Sequence, residues 1–161
     1  MTDIPHLRPV DSSAEPPSAE TAATGLTPPS RRGGSGRFLT DVLVALGFCD
    51  AERVQKAVEE ARVGGTPPEH LLLEQHAITS EQLSRAIAER YGLDHLDLGT
   101  FKVDMSAANL LTASAAKRYG AAPVSYFDDH TLLLAMSDPS NVIAVDDIAM
   151  ITRMDVRPAV A

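Results

Sequence analysis

The chain has 161 residues, 14 lysines and arginines against 22 aspartates and glutamates, a formal charge of -8 and one cysteine. That length holds one domain or two small ones packed together, and the acidic balance excludes binding of polymeric nucleic acid or an anionic membrane by bulk electrostatics. No apolar run approaches the ~20 residues of a membrane span, and the lone Cys49 cannot form an internal disulfide; it falls on an apolar pattern, as a small buried hydrophobe does in a reducing compartment.

Residues 1–36 contain Pro5, Pro9, Pro16, Pro17, Pro28 and Pro29 among small and polar residues, with few large apolar side chains. Such a stretch buries too little surface to offset the entropy of ordering it, which predicts a disordered tail ending in a flexible junction, Arg31, Arg32 and Gly33 to Gly36. From Phe38 to Leu46 the apolar residues follow a helical stripe that Gly47 stops. Asp50 is placed to cap a second helix with Val54, Ala57, Val58 and Ala61 inward, ended by Gly64-Gly65. Thr66-Pro67-Pro68-Glu69 reads as a capping box opening a third helix through Leu71, Leu72 and Leu73. Thr79-Ser80-Glu81-Gln82 is a second box, opening a fourth helix closed by Gly92.

After Gly92 the texture changes. Leu96-Asp97-Leu98 looks extended, and Met105 to Leu111 and Thr112 to Tyr119 look like short helices. Ala122 to Tyr126 and Thr131 to Met136 are two extended runs around an acidic turn at Asp128-Asp129, an antiparallel pair. Asp138-Pro139 opens a helix to about Thr152, expected to turn Val142, Ile143, Val145, Ile148 and Ile151 inward. Asp155 to Val160 is a last strand. The fold class is therefore α+β: a four-helix subdomain over 37–93, then a small α/β subdomain over 94–161.

The helical half repeats itself. Moving Phe38 onto Pro67 brings Leu43 onto Leu72, Val44 onto Leu73, Phe48 onto Ala77, Val54 onto Leu83 and Ala57-Val58 onto Ala86-Ile87. A shared apolar pattern over two pairs of helices is one helix-turn-helix unit built twice, since neither copy has enough apolar surface alone.

These features, with Ala88 to Leu93 running into Leu96-Asp97-Leu98, Leu134 to Asn141, Val145-Asp146-Asp147-Ile148 and Val156 to Val160, resemble the N-terminal regulatory domain of the hexameric ATPases of type II secretion and type IV pilus assembly. The resemblance covers Phe38 to Ala161. It implies a non-catalytic regulatory or docking module whose partners are the ATPase domain and proteins of the assembly platform. It also implies a cytoplasmic location, peripheral to the inner face of the membrane through those partners, without insertion. In some members each repeat is a cyclic di-GMP motif that begins Arg-Leu-Gly, carries an aliphatic pair and a glycine, and ends in Gln. Here the frame survives as 38–61 and 67–90, but its ligand positions hold Phe38, Leu39, Thr40 and Ala61 in the first copy, and Pro67, Pro68, Glu69, His76 and Arg90 in the second. The candidate nucleotide-binding residues are therefore Arg37, Phe38, Leu39, Leu43, Gly47, Leu72, Leu73 and Arg90. Proline replaces none of the bidentate contacts of arginine, so no cofactor is expected and cyclic di-GMP is disfavoured. A cyclic-dinucleotide sensor with an altered pocket is the alternative.

No Gly-x-x-x-x-Gly-Lys-Ser/Thr phosphate loop occurs, so the chain is not expected to be an enzyme, though it fits the N-terminal part of an ATPase. His6, His70, His76, His95 and His130 lack metal-ligand spacing, and no metal site is expected. Ser114, Ser125 and Cys49 have no paired base in the sequence, and no catalytic residue is assigned.

Overall fold

The computed structural model describes residues 25–161. Within them lie seven helices and a five-stranded sheet, so the fold is α+β. Helices α1 (Leu39–Ala45), α2 (Ala51–Gly64), α3 (Pro68–Glu74) and α4 (Ser80–Tyr91) come first. They enclose one core of Leu39, Val42, Leu43, Val54, Leu72 and Ile78, with Cys49, Ala57 and Ala86 also buried in it. The half-buried Leu83 and Ile87 pack against that cluster.

The two copies keep the same backbone where their side chains differ. In the first, the Gly47 amide donates to the Val44 carbonyl and the Phe48 amide to Leu43. In the second, the His76 amide donates to Leu73 and the Ala77 amide to Leu72. Gly47 sits at φ 72° and His76 at φ 54°, both in the left-handed region. Glycine enters it freely, whereas a side chain there costs about 1 kcal/mol.

Helix starts follow local chemistry. Thr79 accepts from the Gln82 amide at 3.2 Å while the Gln82 side chain accepts from the Thr79 amide at 2.9 Å, so the second capping box is formed. The first is not. α3 begins one residue later than expected, with Pro67 as its N-cap at φ -56°, ψ 139° and no side-chain cap. The cause is Pro68, which bars the residue before it from helical ψ and takes Thr66 out of capping range.

The sheet has the order β1-β2-β5-β4-β3, with β1 (Leu26–Thr27), β2 (Asp94–Leu96), β3 (Ala121–Tyr126), β4 (Thr131–Met136) and β5 (Asp155–Val160). β5 is parallel to both its neighbours, while β1 and β3 are antiparallel to theirs. Alternate residues of β4 serve two cores: Leu133 and Ala135 join Leu96, Val124 and Ala159, while Leu134 and Met136 join Leu111, Ala121 and Ile148. On the edge strand β3 the register slips between Pro123 and Ser125, so Val124 is an extra residue, and its carbonyl accepts from the Asp104 amide at 2.8 Å. Two short helices, α5 (Met105–Ala108) and α6 (Ala113–Tyr119), lie between β2 and β3, capped by Asp104 and Thr112.

Two expectations are corrected here. The predicted disordered tail covered 1–36; residues 1–24 lie outside the described residues, but 25–36 are seated on the fold. Leu26 pairs with Leu96, the Gly25 carbonyl accepts from the Asp97 amide at 2.8 Å, and the Ser35 amide donates to the Arg90 carbonyl at 2.7 Å. Long-range backbone bonds hold a stretch whose own side chains could not order it. The second correction concerns α7 (Val142–Thr152), which starts at Asn141, whose side chain accepts from the Ala144 amide. Ala144 and Ile148 are its buried residues, whereas Val142, Ile143 and Ile151, expected inside, face solvent. Among the described residues no helix is long and apolar enough to cross a membrane.

The Gly47 and His76 pair gives a direct test. A Cβ at Gly47 would meet nothing within 4 Å, so Gly47→Ala incurs the dihedral cost alone. Urea unfolding should show Gly47→Ala less stable by about 1 kcal/mol and His76→Gly more stable by about the same. Unchanged midpoints for both would show that the left-handed turns carry no strain.

Candidate functional site

The residues between β1 and α1 cross the C-terminal end of α4 and leave a cleft beside it. Gly92 caps α4 at φ 68°. A Cβ there would run into the Gly34 nitrogen and come within 2.7 Å of the Gly33 nitrogen, so the two glycine-bearing segments touch backbone to backbone. The Ser30 amide donates to both Glu89 carboxylate oxygens, at 3.2 and 2.9 Å. The resulting cleft, about 530 Å³, has Arg31, Ser35, Arg37 and Glu89 on its polar side and Val42, Ala45 and Leu46 of α1 on its apolar side. The Ser35 hydroxyl oxygen is buried without a hydrogen-bond partner.

The candidate nucleotide residues are dispersed relative to this cleft. Arg37 lines it. Phe38 is 76% exposed, while Leu39, Leu43 and Leu72 are buried in the helical core and present no surface to a ligand. Leu73 is half-buried against the same core, and Gly47 is exposed at its turn. Arg90 is half-buried with its guanidinium 5.7 Å from the Tyr91 ring centre. Arg31, Ser35 and Glu89 escaped the sequence reading; the only trace was the Gly-Gly-Ser-Gly run, read as a flexible junction.

Two buried polar residues of β2 anchor the surroundings. Asp94 is 4% exposed, and its Oδ2 accepts from Arg157 of β5, from Nε at 3.1 Å and from Nη2 at 2.5 Å. The Arg157 guanidinium also lies over the Phe127 ring, 4.2 Å from its centre, and the exposed Arg32 reaches Asp94 Oδ1 at 3.9 Å. One carboxylate thus ties together the crossing segment, β2, β5 and the end of β3. A carboxylate out of water needs such compensation.

The next residue, His95, points its Nε2 at the Ser84 hydroxyl of α4, 3.1 Å away. That contact joins the helical half to the sheet and makes Ser84 a half-buried seam residue. Burial, then the Arg85 charge, hold the His95 imidazole below its ordinary value of 6.5, with Glu81 and Asp97 opposing.

The geometry offers a cleft with two arginines and one carboxylate, able to hold a small anionic or zwitterionic group, and a rigid platform beside it. Comparison with known proteins agrees on the fold. Residues 91–161 match the MshEN domain. The type IV pilus assembly ATPase PilB of Myxococcus xanthus is 31% identical over 127 residues, 79% of this chain and 22% of that protein. PilB of Thermus thermophilus is 34% identical over 119 residues, 73% of this chain and 13% of that protein. The chain thus spans between 13% and 22% of the length of these curated relatives. A solved structure of MshE with cdg superimposes at a TM-score of 0.62 and 25% identity, over 78% of this chain and 90% of that one.

Two measurements check the anchors. Asp94→Ala should lower stability by about 3 kcal/mol, because it strands the mostly buried Arg157, whereas Arg32→Ala should cost under about 1 kcal/mol. Equal urea midpoints would remove Asp94 as the anchor. For His95 the folded chain takes up the proton at lower pH than the unfolded chain does. Its contribution is therefore complete above pH 6.5 and lost as pH falls from there toward the lowered folded value. Stability should drop as pH falls through and below 6.5, and His95→Gln should flatten that part of the profile.

Proposed function

We propose, from the homology of this chain to the N-terminal regions of type IV pilus assembly ATPases, that it is a non-catalytic regulatory module which positions an ATPase engine against its assembly platform. The observation that carries this reading is one continuous similarity. The match to PilB spans 127 residues and so takes in both the helical half and the sheet, while the MshEN match covers the sheet half by itself. The two halves are also joined physically, through His95 with Ser84 and through the crossing segment, which bonds Glu89 and Arg90 of α4 and reaches Asp94 of the sheet by Arg32, so a force or displacement applied to one reaches the other. That is what a coupling module needs. The place for such a module is the cytoplasmic face of the membrane, held there by partners.

A second reading rests on a different observation: MshE, solved with cdg, shares this fold at a TM-score of 0.62. If cdg is taken as cyclic di-GMP, the cleft with Arg31 and Arg37 is where a related anion would sit here. The motif positions argue against it, because Leu39 is in the core and the second copy offers Pro67, Pro68 and Glu69 instead of Arg-Leu-Gly. Each missing charge-assisted bond removes about 1.5–3 kcal/mol, and each ~1.4 kcal/mol is tenfold in affinity.

The regulatory reading is tested by ATP turnover of the cognate ATPase core with the chain attached and removed. Removal should change turnover or its response to platform proteins, and identical kinetics under both conditions would sink the reading. Calorimetric titration of the chain with cyclic di-GMP should show no saturable binding tighter than about 100 μM. A dissociation constant near a micromolar, lost in Arg37→Ala, would favour the sensor instead.

A further inference from the structure

Helix α7 is covered on one side only. Ala144 and Ile148 are fully buried, and Val145 packs half-buried into the same core as Leu134 and Met136. The opposite side carries Val142, Ile143, Met150 and Ile151, exposed by 62%, 72%, 77% and 52%. On a helical period Ile143 and Met150 lie two turns apart on the middle of that outer face. Asp146, exposed, and Asp147, half-buried with its Oδ2 accepting from the Tyr119 hydroxyl at 3.0 Å, fall on either side of the line joining them, and Val142 and Ile151 lie at its margins. Single exposed apolar residues need no explanation, but a contiguous set on one helix marks a contact surface.

The ridge continues past the end of α7 into an open groove of about 650 Å³, lined by Met150, Met154, Asp129, Asp155, His130 and Arg153. Methionine adapts to varied apolar partners. The outer face of α7 is therefore an apolar strip with the exposed Asp146 on its flank and two further carboxylates, Asp129 and Asp155, lining the groove at its end.

Resting on the reading of this chain as a regulatory module, we propose that the outer face of α7 docks an amphipathic helix of another polypeptide, one whose apolar ridge is flanked on both sides by lysine or arginine. Charge selects that occupant. A second copy related by a twofold would set Asp146 and Asp147 against their own counterparts, and like charges across an interface are strongly disfavoured. An anionic lipid surface is repelled for the same reason. A basic-flanked helix buries Ile143 and Met150 and brings a cation to the exposed Asp146, in the helix-on-groove mode.

The test uses the full chain and a labelled synthetic peptide with a leucine ridge flanked by lysines, read by fluorescence anisotropy, beside the same peptide flanked by glutamates. The lysine peptide should bind saturably. Ile143→Ser combined with Met150→Ser should weaken it by at least about tenfold, and so should Asp146→Lys. Asp146→Lys should in turn admit the glutamate peptide, a reversal that nonspecific adhesion does not give. These positions are exposed, so urea midpoints should stay unchanged and confirm that the variants fold. Absence of lysine-peptide binding, or binding equal in every variant, overturns the proposal. So does self-association of the wild-type chain in sedimentation that Ile143→Ser with Met150→Ser abolishes, since a second copy would then be the occupant. The ATPase measurement separates this surface from the module's role. If the double-serine variant regulates turnover as wild type does, α7 is excluded and the regulatory reading stands; loss of regulation in that variant alone supports both.

Discussion

A carboxylate withdrawn from water costs several kcal/mol unless positive charge and hydrogen-bond donors replace the solvent, and in this chain that carboxylate is Asp94. Its burial dictates where several distant segments must lie. Arg157 can reach it only if β5 runs beside β2, and Phe127 can stack on the same guanidinium only if the turn after β3 reaches back past β4 toward β5. Arg32 approaches the other oxygen only if the chain before α1 folds back over the end of α4. The parallel pairing of β2 with β5 is short, two residues in register, so the ion pair is a large part of what fixes it.

The legible parts of the fold were those whose causes are local. The Thr79–Gln82 box, the glycines that stop helices and the β3–β4 hairpin each depend on residues a few positions apart, and each was read with its boundary within a residue or so. The misread parts depend on partners far along the chain. Residues 25–36 are ordered by Glu89, Arg90, Gly92 and Asp94, none of which any window over the prolines contains. The inner face of α7 was ambiguous for another reason: Val142, Ile143, Ile148, Met150 and Ile151 surround the helix, so periodicity gives no phase. At the Thr66 box two rules conflicted, and the steric restriction before Pro68 overrode the capping preference.

The candidate site shows the same division. Arg37 was legible because it neighbours a motif position, but the cleft it lines is made by Ser30, Arg31 and Glu89 coming together across most of the helical half. Conversely, Leu39, Leu43 and Leu72 were candidates because a motif places aliphatic residues there, and their burial shows that the core uses them. The paired turns at Gly47 and His76 separate the two demands. The backbone geometry needed to pack the repeat persists in both copies, while the glycine itself does not.

The sheet's two margins bear on how many copies of this chain can be brought together. One margin is β3, interrupted by Pro123 and kinked at the extra residue Val124; the other is β1, only two residues long. A proline and a bulge break the row of free amides that an incoming strand would need, and a two-residue strand offers almost no template. Crowding such chains together therefore carries little risk of runaway strand pairing, of the kind that turns adjacent sheets into fibres, and leaves helix surfaces to make the contacts between neighbours.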